Sequence, residues 1–424
     1  MNQTPAPAAP VAPAVPGQPA VSGPPTVPGP PAVPGQPAVP GQPGAPDEPG
    51  VPGEPQARAS RDAREAEPSW SALLARLLSG CELSAASAAW AMGQVVRGEA
   101  SPARLAAFLT ALRAKGETAA EIDGFVGALL AAATPVRIPG PTLDIAGTGG
   151  DGTNAVNIST MAAIVAAATG ARVVKHGGRA ASSTTAGSAD LVECLGVPLD
   201  LSPERLAAVA VEAGITFLFA AQVHPGMRHA GPVRRELGVP TVFNVLGPLI
   251  NPADPTHRLV GVADPRLLPV IAEVLAARGA RGLVVRGDDG LDKLSTATTS
   301  RVWRVSGGRA VPDAVDPRAL GIPRPASGAL RGGDAQANAR TVHALVRGEP
   351  GPVRDAVLLN AAGALVAAAP AEATLVEQLR AAWDRCAEAI DSGAASQTLA
   401  RWVTVASAPA PGGTGERGLG RFAR

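Results

Sequence analysis

Apolar residues recur at helical spacing in four successive segments between residues 68 and 135. Ser84 precedes the second segment, and Ser101 followed by Pro102 gives the third an N-cap and a first-turn proline. Thr118 and Glu121 have the spacing of a capping box at the start of the fourth. The pattern therefore predicts four short helices that pack on one another as a small N-terminal α-helical domain, residues 68–135.

From residue 141 onwards, short apolar runs alternate with helical periodicity. The predicted strands are 143–146, 171–177, 216–220, 258–263, 282–287 and 301–305, and the predicted helices include 158–169, 267–279, 353–368 and 371–391. Such alternation is typical of an α/β fold with a mostly parallel sheet, which binds ligands at the carboxyl ends of its strands. We predict a larger α/β domain over residues 141–406.

Composition separates both ends of the chain from these domains. Of 43 prolines, 19 lie in residues 1–55, where glycine is also frequent and no aromatic residue occurs. Such a segment cannot build a hydrogen-bonded ladder or a core, so we expect a disordered, partly polyproline II tail over residues 1–66. It is either a neutral, solubilising extension or a docking arm for a partner module. Residues 408–424 are expected to form a loose C-terminal tail.

Charge and cysteine content narrow the class of protein. A formal net charge of +1 argues against nucleic acid or an anionic membrane as the main partner. No apolar run reaches the ~20 residues of a membrane helix, and the N-terminus lacks the features of a signal peptide. Three dispersed cysteines support neither a disulfide framework nor a zinc site, and we expect them to be buried. These features predict a cytoplasmic protein.

Four loops at predicted strand ends carry candidate chemistry. They are GTGGDG at 147–152, KHGGRAASS at 175–183, the basic segment HPGMRHAGPVRRELG at 224–238 and GDDGLDKLS at 287–295. Glycine loops and helix starts present N–H groups to anions, lysine and arginine add positive charge, and clustered aspartates suit Mg²⁺. Together the loops predict a transferase that acts on a phosphorylated or pyrophosphorylated sugar, with an arginine free for a small acidic co-substrate.

From about residue 70 to 405, the chain resembles the anthranilate phosphoribosyltransferases. The four loops carry the resemblance, together with NIST at 157–160, GSADLVECLGV at 187–197 and FNVLGPLINPA at 243–253. The resemblance implies transfer of phosphoribosyl from 5-phosphoribosyl 1-diphosphate to anthranilate, with release of diphosphate, in tryptophan biosynthesis. It also implies a fold of the nucleoside phosphorylase and phosphoribosyltransferase type, Mg²⁺ as the cofactor and a homodimer.

The resemblance also implies roles for individual residues. Lys175 and Arg234 receive catalytic roles, and Arg234 would contact the anthranilate carboxylate. Ser159 and Asp292 would each hold a Mg²⁺ ion. The implied substrate-binding residues are Gly147, Gly150, Asp151, Asn157, Ser159, Thr160, Lys175, His176, Gly177, Gly178, Arg179, Ala180, Ala181, Ser182, Ser183, Ser188 and Arg234. His176 is a candidate acceptor for the amine proton.

Four positions depart from the family pattern. Lys293 replaces the glutamate of an Asp-Glu pair, and Gly178 replaces an asparagine. Ala155 stands where a threonine is common, and the segment 182–190 is one residue longer than usual. If Lys293 takes over part of the charge of a second metal ion, we expect weaker Mg²⁺ dependence and weaker substrate affinity.

Three other functions remain open from the sequence. One is a paralogue that phosphoribosylates another aromatic amine acid. Another is a non-catalytic relative that binds nucleic acid or a partner protein, although the near-zero net charge makes nucleic acid an unfavourable ligand. The third is a pyrimidine nucleoside phosphorylase, which shares the two-domain architecture.

Overall fold

A computed structural model describes residues 68–179, 186–369 and 372–409 of the chain. The predicted N-terminal tail lies outside these residues, as do all but the first two residues of the predicted C-terminal tail. Within the described ranges, no helix is long and apolar enough to cross a membrane.

The four predicted N-terminal helices are present. They are α1 (Trp70–Leu78), α2 (Ala85–Val96), α3 (Pro102–Lys115) and α4 (Ala119–Ala131). Ser84, Ser101 and Thr118 each accept a backbone N–H as N-caps, and Glu121 completes the capping box of α4. The aromatic rings of Trp70 and Phe108 meet edge to face with their centroids 5.6 Å apart. The helices therefore pack on one another, as their apolar faces predict.

A seven-stranded sheet follows. Its strands are β1 (Leu143–Gly147), β2 (Val173–Gly177), β3 (Ile215–Phe219), β4 (His257–Gly261), β5 (Arg281–Gly287), β6 (Ser300–Ser306) and β7 (Arg309–Val315). The spatial order is β3-β2-β1-β4-β5-β6-β7. Strands β1 to β5 run parallel, whereas β6 and β7 extend the sheet in antiparallel fashion. The predicted α/β class with a mostly parallel sheet is confirmed.

Helices connect the strands and close the domain. They are α5 (Ile158–Ala168), α6 (Ser188–Cys194), α7 (Pro203–Ala213), α8 (Ala220–Val223), α9 (Gly231–Leu237), α10 (Phe243–Leu246), α11 (Leu267–Ala277), α12 (Ala335–Val346), α13 (Pro352–Ala368), α14 (Leu375–Asp391) and α15 (Ala394–Ser407). Short 3-10 helices occur at Pro225–His229, Gly247–Leu249 and Pro317–Leu320. Helix α14 begins four residues later than the apolar pattern predicts, because Thr374 and Glu377 form a capping box there.

The two faces of the sheet belong to two different apolar cores. Alternating side chains of one strand point to opposite faces, so Leu259 belongs to the core that contains α5 and α13, while Val260 belongs to the core that contains α11. The second core continues without interruption into the N-terminal helices, through residues such as Phe125. The α-helical domain is thereby fixed against one face of the sheet.

Two expectations differ from the structure. Strand β7 was not predicted, because most of its side chains are exposed and the strand contains Pro312. A proline is tolerated there because β7 is an edge strand. The prediction that all three cysteines are buried was wrong, since Cys81, which follows the turn after α1, and Cys194, at the end of α6, are exposed. Only Cys386 is buried, and its burial raises the pKa of its thiol to about 12.

Candidate active site

A cleft of about 340 Å³ lies at the carboxyl ends of β1 and β2. The strand order reverses beside β1, which is where open α/β sheets bind their ligands. The predicted site residues that line the cleft are Gly147, Asn157, Ser159, Lys175, His176, Gly177, Gly178, Arg179, Ser188 and Asp292. Lys293 also lines it. Residues from three separate predicted loops thus meet in one place.

The glycine loop after β1 is folded around the carboxylate of Asp292. The backbone N–H of Gly149 donates to Asp292 Oδ2 at 2.7 Å, and the Asp292 N–H donates to Asp151 Oδ2 at 3.4 Å. Gly149, Gly150 and Gly152 all have positive φ, which other residues rarely adopt. The loop therefore requires its glycines for the turn itself.

Close packing explains two further glycines. A Cβ at Gly147 would overlap the Asp292 carboxylate, and one at Gly261 would overlap the Asp292 backbone carbonyl. These glycines end the adjacent strands β1 and β4, so the segment that carries Asp292 rests directly on the sheet. The position of Asp292 is thus set by main-chain contact.

Lys175 extends from β2 into the base of the cleft. Its ammonium donates to the carbonyl of Ile145 at 2.6 Å and to Ser159 Oγ at 3.4 Å. Burial lowers the pKa of Lys175 to about 8, against the opposing effect of the Asp144 carboxylate. A bound polyanion would favour the protonated form of Lys175, which burial disfavours. Lys175 is therefore well placed to bind a polyanion.

His176 faces the opposite side of β2 and is buried beside His224, with the ring centroids 5.3 Å apart. His176 Nδ1 is 3.1 Å from the Gly247 carbonyl, and His224 Nε2 is 2.8 Å from the Ile250 carbonyl. Burial lowers the pKa of each imidazole to about 4. Both rings are therefore neutral at physiological pH.

Lys293 lies between two carboxylates at the edge of the cleft. Its ammonium forms an ion pair with Asp292 Oδ1 and lies 3.6 Å from Asp151 Oδ2. Burial alone would lower the pKa of Lys293, but the two carboxylates overcome that effect and raise it. The pKa of Asp151 is lowered, because Lys293 and donated hydrogen bonds outweigh the effect of its burial. The Lys293 ammonium therefore stays protonated and is held between the two carboxylates.

Arg179 and Ser188 border the cleft after β2. The Arg179 guanidinium is 2.8 Å from both the Asp190 and Glu193 carboxylates, so its charge is largely balanced. Ser188 Oγ donates to the Gly178 carbonyl at 3.4 Å. The next expected site residues, Ala180, Ala181, Ser182 and Ser183, lie outside the described part of the chain.

Comparison with known proteins gives the family. Two family models match: the helical bundle domain of a glycosyl transferase family over residues 71–133, and the a/b domain of that family over residues 139–396. The anthranilate phosphoribosyltransferase of Salinispora arenicola is 55% identical over 349 residues, which are 81% of this chain and 99% of that protein. The enzyme of Thermobifida fusca is 54% identical over 344 residues.

The chain belongs to the anthranilate phosphoribosyltransferase family. Solved structures of the family agree in fold. The enzyme of Thermus thermophilus has a TM-score of 0.74 and 43% identity, covering 79% of this chain and 99% of its own. The Saccharomyces cerevisiae enzyme, in a complex with 5-phosphoribosyl 1-diphosphate and Mg, has a TM-score of 0.71 and 28% identity, covering 81% of this chain and 99% of its own.

Some site residues expected from the family pattern lie away from the cleft lining. Arg234 is half-buried on α9 with its guanidinium 5.2 Å from the ring centroid of Phe243. Thr160 is fully buried in the first turn of α5. Gly150 lines a neighbouring pocket on the other side of the glycine loop, which also includes Arg113 and Asp264. The cleft and this pocket share Thr148 and Gly149.

Three buried asparagines hold the site together, and two of them, Asn338 and Asn360, lie outside the family motifs. Asn360 pairs with both backbone groups of Leu294, at 3.0 and 2.9 Å, directly after Lys293. Asn338 donates to Asn157 at 2.8 Å, and Asn251 donates to Asp144 at 2.9 Å. The sequence offers one signal for such a role. Asn360 is the single amide in the apolar part of α13, and a buried amide needs hydrogen-bond partners.

Proposed function

We propose that this chain transfers the phosphoribosyl group of 5-phosphoribosyl 1-diphosphate to anthranilate, and that it thereby serves tryptophan biosynthesis. The reaction forms a bond from the anthranilate nitrogen to C1 of the ribose, breaks the bond from C1 to the diphosphate oxygen and releases a proton. The observation that carries the proposal is the cleft itself. It joins the glycine loop, the buried Lys175 and the residues Gly178 and Arg179 after β2, in a chain 55% identical to such an enzyme.

The donor phosphates fit the positive and N–H-rich parts of the cleft. The buried Lys175 ammonium can donate to a phosphate oxygen. Such a hydrogen bond would be strong because both groups are charged. Gly149 and Gly178 line the cleft and have open space where a Cβ would lie, so phosphate oxygens can approach the backbone there. Arg179 is already paired with two carboxylates of α6, so we assign it the role of joining the end of β2 to that helix.

The residues present fit Mg²⁺ at one position. Ser159 offers a hydroxyl oxygen to the cleft, and Mg²⁺ in such sites takes few protein ligands besides phosphate oxygens and water. When bound, Mg²⁺ would stabilise the charge of the departing diphosphate. The carboxylates of Asp151 and Asp292 do not fit a second ion, because the Lys293 ammonium is paired with both.

The reaction asks little of an acid or base. A neutral aromatic amine is already a nucleophile, and catalysis rests on holding it at C1 while the leaving group is stabilised. A pKa of about 4 makes His176 a weak base, so we do not assign it the amine proton.

Arg234 is proposed to meet the anthranilate carboxylate. Its guanidinium lies over the ring of Phe243 and forms no ion pair with a carboxylate in the described residues, which leaves its donors available. A homodimer and a cytoplasmic location complete the proposal. Family resemblance supports the dimer, and light scattering from the purified protein would measure it directly.

The test is loss of anthranilate fluorescence with the full-length protein, 5-phosphoribosyl 1-diphosphate and Mg²⁺. We expect donor-dependent loss in the wild type and a kcat/KM about tenfold to a hundredfold lower in Lys175→Met, since a charged hydrogen bond is worth roughly 1.5–3 kcal/mol. The matched control is Arg347→Met, which removes a cation from an exposed surface pair with Glu349.

Three outcomes separate the possible functions. Donor binding by calorimetry without fluorescence loss would indicate another acceptor. Absence of donor binding in a folded protein would contradict a phosphoribosyltransferase altogether. Phosphorolysis of thymidine would instead identify a nucleoside phosphorylase.

A further inference from the structure

Lys293 lies between two carboxylates that come from different loops. Its ammonium is the only positive group in the described residues that pairs with Asp292, and it also reaches Asp151 on the glycine loop. The second oxygen of Asp292 accepts the N–H of Gly149 at 2.7 Å. One ammonium therefore joins the loop after β1 to the loop after β5.

The segment that carries Lys293 is rigidly held. Gly147 and Gly261 leave no room between the sheet and Asp292, and Asn360 binds both backbone groups of the next residue, Leu294. The Lys293 side chain is 17% exposed, and that exposure faces the cleft. A surface lysine would sample many rotamers, whereas this one has a fixed location.

Two carboxylates on facing loops at a phosphate site ordinarily take a divalent ion from solution, because hard cations prefer oxygen ligands. Here the Lys293 ammonium already pairs with both carboxylates and balances one of their two negative charges. In the part of the chain that the structure describes, no group of three or more His, Cys, Asp or Glu is arranged to hold a metal. The chain has only three lysines among its 37 basic residues, and two of them line this cleft.

We propose that the Lys293 ammonium is a built-in substitute for a divalent ion between Asp151 and Asp292, and that it binds the diphosphate of the donor. The protein would then need one divalent ion per bound donor, at the Ser159 position. The identity of the donor rests on the proposed function, but the absence of a metal ion between Asp151 and Asp292 does not.

The first experiment needs no donor. Binding of Mn²⁺ to the full-length protein is counted by electron paramagnetic resonance for the wild type, Lys293→Ala and Lys293→Gln. Removing the ammonium leaves two unpaired carboxylates, so we expect each variant to bind one more Mn²⁺ than the wild type. Adding Asp292→Asn to Lys293→Ala should abolish the extra site, and Arg347→Ala should match the wild type.

The outcome is decisive in either direction. An unchanged Mn²⁺ count in both folded lysine variants would overturn the proposal, and so would a wild-type site that Asp292→Asn removes. Circular dichroism establishes that each variant is folded. Two substitutions are used so that the misfolding of one does not leave the question without an answer.

The second experiment adds 5-phosphoribosyl 1-diphosphate and counts Mn²⁺ in the complex. We expect one ion per donor in the wild type and two in Lys293→Ala. At low Mg²⁺, the donor Kd of the variant should be tenfold to a hundredfold higher, as for the loss of a charged hydrogen bond, and high Mg²⁺ should restore much of it. If the wild type binds no donor, the proposed function fails while the donor-free count still stands.

Discussion

Two adjacent glycines at the end of β2 have different surroundings. A Cβ at Gly177 would overlap Ser188 Oγ and lie 3.2 Å from the ring of the buried Phe217. A Cβ at Gly178 would meet only Ala220, at 4.0 Å. Gly177 is therefore required by packing, whereas the position of Gly178 has room for the asparagine that the family pattern carries.

These surroundings predict opposite effects of the same substitution. Gly177→Ala should lower the free energy of unfolding by about 1–3 kcal/mol and raise the donor KM, because Ser188 must move. Gly178→Ala should leave both quantities close to the wild type, and Gly178→Asn should also fold. Urea denaturation and steady-state kinetics measure the two effects, and equal losses at both glycines would contradict this account.

Among the secondary-structure elements, α4 begins at a buried ion pair. Lys115 Nζ lies 2.9 Å from Glu121 Oε2, and the two side chains are 6% and 0% exposed. Glu121 also accepts the N–H groups of Leu83 and Thr118, at 2.9 Å each. One carboxylate thus caps its own helix and joins the ends of α2 and α3 to it.

Removing that carboxylate should destabilise the protein more than removing an ordinary cap. We expect Glu121→Ala to lower the free energy of unfolding by about 3–5 kcal/mol, since it leaves the Lys115 ammonium buried without its partner. Thr118→Ala should cost about 1 kcal/mol. In urea denaturation, adding Lys115→Met to Glu121→Ala should recover part of the loss, and a fully additive loss would contradict the coupling.

For the molecule as a whole, the buried pair of His176 and His224 links stability to pH. Burial, together with the nearby charges of Lys175 and Arg258 at His176, lowers the pKa of both rings to about 4. In the unfolded chain both histidines bind protons below pH about 6.5. The folded protein does not bind them until about pH 4, so its stability falls as the pH decreases from 6.5 to 4.

We expect this pair to account for a loss of about 3 kcal/mol in the free energy of unfolding between pH 6.5 and pH 5. His224→Gln keeps a donor for the Ile250 carbonyl but does not titrate, so its stability should depend less steeply on pH in this range. Urea midpoints measured across the range test the prediction. An equal slope in the wild type and the variant would show that other groups govern acid stability.

Much of the architecture follows from the sequence alone. Caps and apolar periodicity locate α1 to α4, and strand–helix alternation predicts a parallel sheet whose strand ends converge. Because the chemical motifs are contiguous and directly follow strands, residues such as Gly147 and Lys175 could be assigned to one site in advance. Strand β7 was not predicted, because an exposed edge strand has no alternating pattern of apolar residues.

Only the tertiary structure decided how the side chains of that site are paired. Lys293 and Asp151 are 142 positions apart along the chain, and no local pattern indicates that their charges meet. No local pattern indicates the hydrogen bonds of Asn360 to the Leu294 backbone, or the burial that lowers the pKa values of His176 and His224. Local periodicity determines which elements form, whereas such contacts depend on how several elements pack together.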